Sequence, residues 1–311
     1  MTPALRQVAL GLLTYVPGLH ARLRRGTGGT NSAAYCYAVW MRHLQHLEMA
    51  GLETLPRAVA EIGPGDSLGI GLSALLCGAE CYLALDAVPH AATEANLKVF
   101  DALVDLFRVC APVPGLEAFP HVKPEPLGAG WPALLTPERM AMALSPDRVA
   151  RLRSDLAQGT GALRYIAPWE GSDLSSAPRI DLFISQAVLE HVDRLEEAYA
   201  AMASLAAPES FMSHQIDFRC HGTAASWNGH LAYSDGLWTL MRGRRPYLLN
   251  RRLPSEHLAL IEQCGFDVRH IVRATDPSGR PADELAARFR AIGPEDHATS
   301  GLYVAARRRS H

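Results

Sequence analysis

The 311-residue chain has no excess of either charge: 30 lysines and arginines stand against 32 acids, a formal net charge of -2. Proteins that bind nucleic acid carry a basic face or stripe, so no nucleic-acid partner is expected. Paired cysteines are also missing. Cys36, Cys77, Cys81, Cys110, Cys220 and Cys264 are scattered with no CxxC spacing, which excludes a zinc ribbon and a thioredoxin-type redox pair. Free thiols in a reducing compartment are expected. No uncharged apolar run reaches the ~18–20 residues of a membrane span. The N-terminal VALGLLTYVPGL is apolar, but Arg6 precedes it and no small-residue cleavage site follows, so a docking helix is expected, with an interfacial helix as the alternative. A cytoplasmic location is the default. Internal repeats and low-complexity tracts are absent. What remains is ordinary globular composition, 48% apolar and 20% charged, enough for one large domain or two small ones.

Order along the chain is clearer than composition. Residues 1–54 read as a helical N-terminal cap, with Tyr35, Trp40, His43 and Leu47 at roughly helical spacing and Gly51 as a stop. RAVAEIG is a short apolar strand, PGDSLGIGLSALLCG a loop and helix, and ECYLALD a second strand. That order opens a right-handed βαβ unit. A helix follows, with Leu97, Phe100, Leu103, Val104 and Phe107 on one face. ALRYI, RIDLFISQ, FMSHQIDF, DVRHIVRA and SGLYVAARR complete seven strands. Asp193 with Glu196 predicts a capping box before DRLEEAYAAMASL, and Pro254 and Gly265 bracket PSEHLALIEQCGF. Two segments fit no βαβ unit and are expected to be insertions: a proline-rich one at about 111–161, holding one short helix, and another at about 219–250. Arg307, Arg308 and Arg309 are expected to be a frayed, solvated tail.

The stretch from Ala58 to Asp86 carries the functional signal. Glycines between a strand and a helix let the backbone turn sharply beside a ligand. The dinucleotide fingerprint fails here, because Leu68 stands where its third glycine belongs. Glu61, just before Gly63, would repel a pyrophosphate but suits an ammonium group. Asp86, closing the next strand, is placed to accept hydrogen bonds from a ribose diol. An amino acid and a ribose without phosphate describe S-adenosylmethionine.

The run E-x-G-x-G and the acid ending the second strand resemble the class I S-adenosylmethionine-dependent methyltransferase family. DLFISQAVLEHV (Asp181–Val192) is similar to that family's fourth strand and following loop, and QCGF with DVRHI to its C-terminal pair. The resemblance covers most of residues 55–311 outside the insertions. It implies a doubly wound, mostly parallel, seven-stranded α/β sheet and methyl transfer to a small molecule, at a hydroxyl or amine. By the same resemblance Glu61, Gly63 and Gly65 would hold the methionine part and Asp86 the ribose. Ala167, Pro168 and Trp169 would lie at the adenine, and Ser185 and Gln186 beside the methyl group. Ser67 replaces the family's third loop glycine, with Gly69 and Gly71 displaced into the helix. The helical cap implies a lid, to which Tyr35 or Trp40 could contribute, although an aromatic stripe is first a packing feature.

A base tuned near working pH would help an oxygen or nitrogen acceptor, so histidine is the first candidate. His191, in LEHV, follows the fourth strand, and His214 lies in the fifth. HGTAASWNGH adds His221, Trp227, Asn228 and His230 on a loop suited to acceptor contact. His214, Asp217, His221 and His230 also offer metal ligands. Strand alternation puts His214 and Asp217 on opposite faces and no HExxH spacing is present, so no metal site is expected. Competing functions are a non-catalytic module that binds a cofactor or partner, and a metal-dependent lyase or oxygenase.

Overall fold

Strand periodicity sorts this chain onto two faces of one sheet. The computed structural model describes residues 3–16, 30–169, 174–245 and 248–310; Pro17–Leu19, ending the apolar N-terminal run, lie outside them, as do other parts of the expected cap and second insertion. In chain order the elements are α1 (Pro3–Leu13), α2 (Ala33–Met49), β1 (Ala58–Ile62), α3 (Gly69–Leu76), β2 (Cys81–Leu85), α4 (Thr93–Arg108), α5 (Pro137–Ala143) and α6 (Pro146–Gln158). β3 (Leu163–Ile166), β4 (Ile180–Gln186), α7 (Leu195–Leu205), β5 (Ala206–Asp217), α8 (Asp235–Arg242) and α9 (Pro254–Gln263) follow, and then β6 (Phe266–Thr275), α10 (Pro294–Ala298) and β7 (Thr299–Arg308).

The seven strands form one mixed sheet in the order β3-β2-β1-β4-β5-β7-β6. β1 to β5 pair in parallel, whereas β7 runs antiparallel to both β5 and β6. Val59, Tyr82, Ala84, Leu182, Ile184 and Phe211 pack in a core with α2, α3 and α4. Their alternate neighbours Ala60, Leu83, Phe183 and Met212 pack on the other face with α7 and α9. Both faces are therefore covered by helices, as apolar central strands require.

Three local expectations are corrected. α7 starts at Leu195 with no side-chain cap, because Asp193 is engaged by Arg242 and Glu196 by Arg252. The proline-rich segment holds two helices, α5 and α6, since Thr136 and Pro137 supply a second start. Arg307 and Arg308 are not a frayed tail: they end β7, where Arg307 pairs with Glu209, and the next residue, Arg309, pairs with Asp267 at 2.7 Å.

The segment from Pro114 to Gly130 makes few backbone hydrogen bonds of its own, so its carbonyls need donors from elsewhere. α2 supplies them. The fully buried Arg42 donates to Val122 O at 2.6 Å, Pro114 O at 2.7 Å and Gly115 O at 3.0 Å. Gln45 donates to Gly128 O and Gly130 O at 3.0 and 2.8 Å. Hydrogen bonds from a charged donor contribute about 1.5–3 kcal/mol each. Arg42→Met is expected to cost on the order of 3 kcal/mol and to speed proteolysis within 112–130, with the circular dichroism of the sheet unchanged. Cleavage no faster than in the parent would refute this anchoring.

Candidate active site

Alternation decides where Glu61 points. It shares a face with Val59, the face under α3, so its carboxylate meets the start of that helix. Glu61 Oε2 accepts from the Tyr82 hydroxyl at 2.5 Å and from Gly71 N–H at 3.1 Å. Burial pushes its carboxyl up to about 7. A Cβ on Gly71 would fall 2.0 Å from the Tyr82 ring; the bare glycine is what lets that ring lie against α3. Ser67, at the position of the missing third glycine, acts as a local cap, with its Oγ accepting from Gly69 N–H at 3.2 Å. Asn96 Oδ1 accepts from Leu68 N–H at 2.9 Å beside it. Side chains thus meet the N–H groups of Leu68, Gly69 and Gly71 at this helix start.

Asp86 lies differently. Its Oδ1 accepts from Ala87 N–H at 2.7 Å and its Oδ2 from Gly65 N–H at 3.3 Å, and burial raises its carboxyl. It lines a pocket of about 420 Å³ together with Gly63, Ala87, Trp169, Val188 and His191. After β3 the chain crosses to β4 on the far side of β1, so the β1–β4 boundary is the switch point where ligands bind in open α/β sheets. Gly63, at φ +67°, faces Val188 there, and a Cβ would come within 2.6 Å of that side chain. Pro168 and Trp169 form the wall beyond β3, with Trp169 N–H donating to Asp86 O at 2.9 Å.

Of the other expected cofactor residues, Glu61, Gly65, Ala167, Ser185 and Gln186 are all outside the lining of this pocket. Ser185 and Gln186 lie on opposite faces, because they are neighbours in one strand. Ser185 is fully buried, 2.9 Å from His214 Nδ1. Gln186 turns toward α2: its Nε2 donates to Lys123 O at 2.9 Å and its Oε1 is 2.9 Å from His43 Nε2. With the amide so oriented, His43 Nε2 carries the proton and Nδ1 accepts from Ser213 Oγ at 2.8 Å. Burial lowers His43 to about 4, so the ring is neutral. Periodicity alone gave no signal for this buried network. Tyr35 stands edge-on to Phe119 at 6.0 Å and feels the charges of both Glu61 and Glu190, with its phenol raised to about 12 chiefly by burial.

The histidines separate sharply. His191 lines the pocket. His214 and His230 do not; burial lowers each to about 3, and both are sealed from solvent. His230 packs near the Trp238 ring, a structural place that the density of the WNGH loop does not reveal. Trp227 Nε1 donates to Asp276 O at 3.1 Å, and Asn228 both donates to Arg280 O at 3.1 Å and accepts from Arg280 N–H at 2.7 Å. These two clamp the β6–β7 connection and are absent from the pocket lining. His221, partly exposed, sits 3.0 Å from Asp217 Oδ2. The four metal-ligand candidates do not converge, since His214 faces α7 and His230 lies behind Trp238.

No family model matches this chain, and no curated protein does. Among solved structures it is similar to an S-adenosylmethionine-dependent methyltransferase from Mesorhizobium loti, with 14% identity over 85% of this chain and 98% of that one, at a TM-score of 0.39. It is also similar to the N-methyltransferase NodS from Bradyrhizobium japonicum, solved with S-adenosyl-L-homocysteine, at 11% identity over 99% and 100% of the two chains and a TM-score of 0.39.

Proposed function

We propose that this chain is an S-adenosylmethionine-dependent methyltransferase acting on a discrete small molecule, at a hydroxyl or amine. One observation carries the reading: the switch-point pocket places the Asp86 carboxylate, the Gly63 turn and the Trp169 wall around one cavity. That donor set suits a nucleoside. Asp86 would accept from the ribose diol, Ala167, Pro168 and Trp169 would face the base, and Gly63 and Gly65 would give the methionine part close backbone approach. Glu61, beneath the loop, would contribute negative charge toward the ammonium group. The bound sulfonium supplies an electrophilic methyl group. His191, the histidine in the lining, would stand at the acceptor and take its proton, while Tyr35 and Gln186 would bound the acceptor side under α2. His221 is a further acceptor contact from the rim. Binding of reactants in one orientation contributes more than any single side chain.

Calorimetry with S-adenosylhomocysteine tests this directly, and micromolar binding of one equivalent is expected. If no heat appears up to high micromolar ligand, the reading is lost. The same titration has a pH signature. Glu61 is half ionised at about pH 7, and only the carboxylate attracts an ammonium. Affinity should therefore fall as pH drops from 8 to 5.5, by up to about tenfold per unit below 7, with proton release on binding. A flat profile, or one identical in Glu61→Gln, would uncouple Glu61 from the ligand.

A further inference from the structure

Glu190 is the least explained acid among the described residues. It sits in the short 3₁₀ turn Leu189–His191 that follows β4, is only 3% exposed, and neither of its carboxylate oxygens has a hydrogen-bond partner. Burial pushes its carboxyl well above the usual range; the backbone N–H groups of Glu190 and Asp217 offset this only in part, and the Asp217 carboxylate, of the same sign, adds to it. A carboxylate in such a place costs several kcal/mol unless a cation meets it. Two imidazoles stand beside it. The potential ligand atoms of Glu190, His191 and His221 all lie within 4.8 Å of one another, and the two rings are 5.1 Å apart. Sequence spacing hides this set, because His221 arrives from beyond β5 while the other two follow β4.

From this juxtaposition we infer that Glu190, His191 and His221 form a binding site for a divalent first-row transition ion at the edge of the pocket. Two imidazoles and one carboxylate are a donor set that zinc and iron take readily. Tetrahedral ligands at ~2.0–2.1 Å from an ion lie ~3.3 Å apart, so closing the set requires side-chain shifts on the order of 1 Å. Asp217 accepts at 3.0 Å from His221 Nε2, the carboxylate–histidine arrangement that orients a ligating ring and leaves its other nitrogen for the ion. His191 also lines the pocket, so an open coordination position there would face the acceptor. With His191 holding the ion, the ion would replace that ring as the deprotonating device: a hydroxyl bound at the open position would lose its proton more easily, the O–H bond breaking with the proton passing to bulk water and the electron pair staying on oxygen. Only this last point rests on the methyltransferase reading; the site itself does not.

The test is titration of the chelator-stripped full chain with Zn²⁺, and with Co²⁺ as a visible-absorbing probe. One ion per chain is expected, with the Co²⁺ bands of a low-coordinate nitrogen–oxygen site. His221→Ala, on an accessible loop, and Glu190→Gln should each weaken binding at least 100-fold, and Asp217→Asn by about 10–100-fold, with folding checked by thermal melts. Failure of the stripped parent to take up a stoichiometric ion overturns the site, as does undiminished binding in folded His221→Ala and Glu190→Gln. Parallel titration with S-adenosylhomocysteine separates the two ideas: uptake of the ion without the nucleoside would keep the metal site and remove the methyltransferase reading.

Discussion

Asp86→Ala is expected to weaken S-adenosylhomocysteine binding at least 100-fold in calorimetry. A ribose diol can donate two hydrogen bonds to this carboxylate, and bonds to a charged acceptor contribute about 1.5–3 kcal/mol each. A combined loss near 3 kcal/mol is about two powers of ten in affinity. The carboxylate is already oriented by the N–H groups of Gly65, Ala87 and Val88, so it is held in place before any ligand arrives. Asp86→Asn keeps one acceptor oxygen but turns an NH2 toward N–H donors, and should fall between the parent and the alanine variant. Affinity within threefold of the parent in Asp86→Ala would show that the ribose is not read here.

Gly71→Ala should be the most destabilising single-methyl change in the helix that follows the glycine loop. The added carbon would meet the Tyr82 ring at 2.0 Å. That ring is fully buried, and its hydroxyl is fixed on Glu61 at 2.5 Å. The ring can yield only by giving up its hydrogen bond to Glu61 or its place in the core. Overpacking of this kind typically costs about 1–3 kcal/mol and more where backbone is involved. We expect about 3 kcal/mol, seen as a fall in Tm of roughly 4–6 °C. The rescue is specific: Tyr82→Leu with Gly71→Ala should be less destabilised than the sum of the single variants, because the clash is shared. Strict additivity would place the cost elsewhere.

Much of this architecture follows from short-range rules. Glycine stops such as Gly51 and Gly265 have positive φ at helix ends, as left-handed closure requires. The parallel strands β1, β2 and β4 are apolar runs buried along nearly their whole length. Chain order similarly put Gly63 and Asp86 at neighbouring strand ends, where β1 and β2 pair in parallel. Local pattern is ambiguous where a residue has two possible partners. Asp193 had the sequence of a capping residue, but Arg242 from α8 reached it first. Asn228 stands in a loop suited to ligand contact, and its amide meets the backbone of Arg280.

The elements, their order and the acid–glycine–acid pattern are legible in the chain, because they depend on residues a few positions apart. What each polar group faces is set by the fold. Glu61 ends beneath α3 through strand alternation and the side of the sheet that this helix covers. Among the histidine candidates, His191 reaches the pocket while His214 and His230 are sealed, although all three look equally reactive as letters. Glu190 and His221 come together only when the turn after β4 and the loop after β5 are brought to the same edge by parallel pairing. Such encounters depend on sheet register and loop closure between distant positions, information that no local pattern carries.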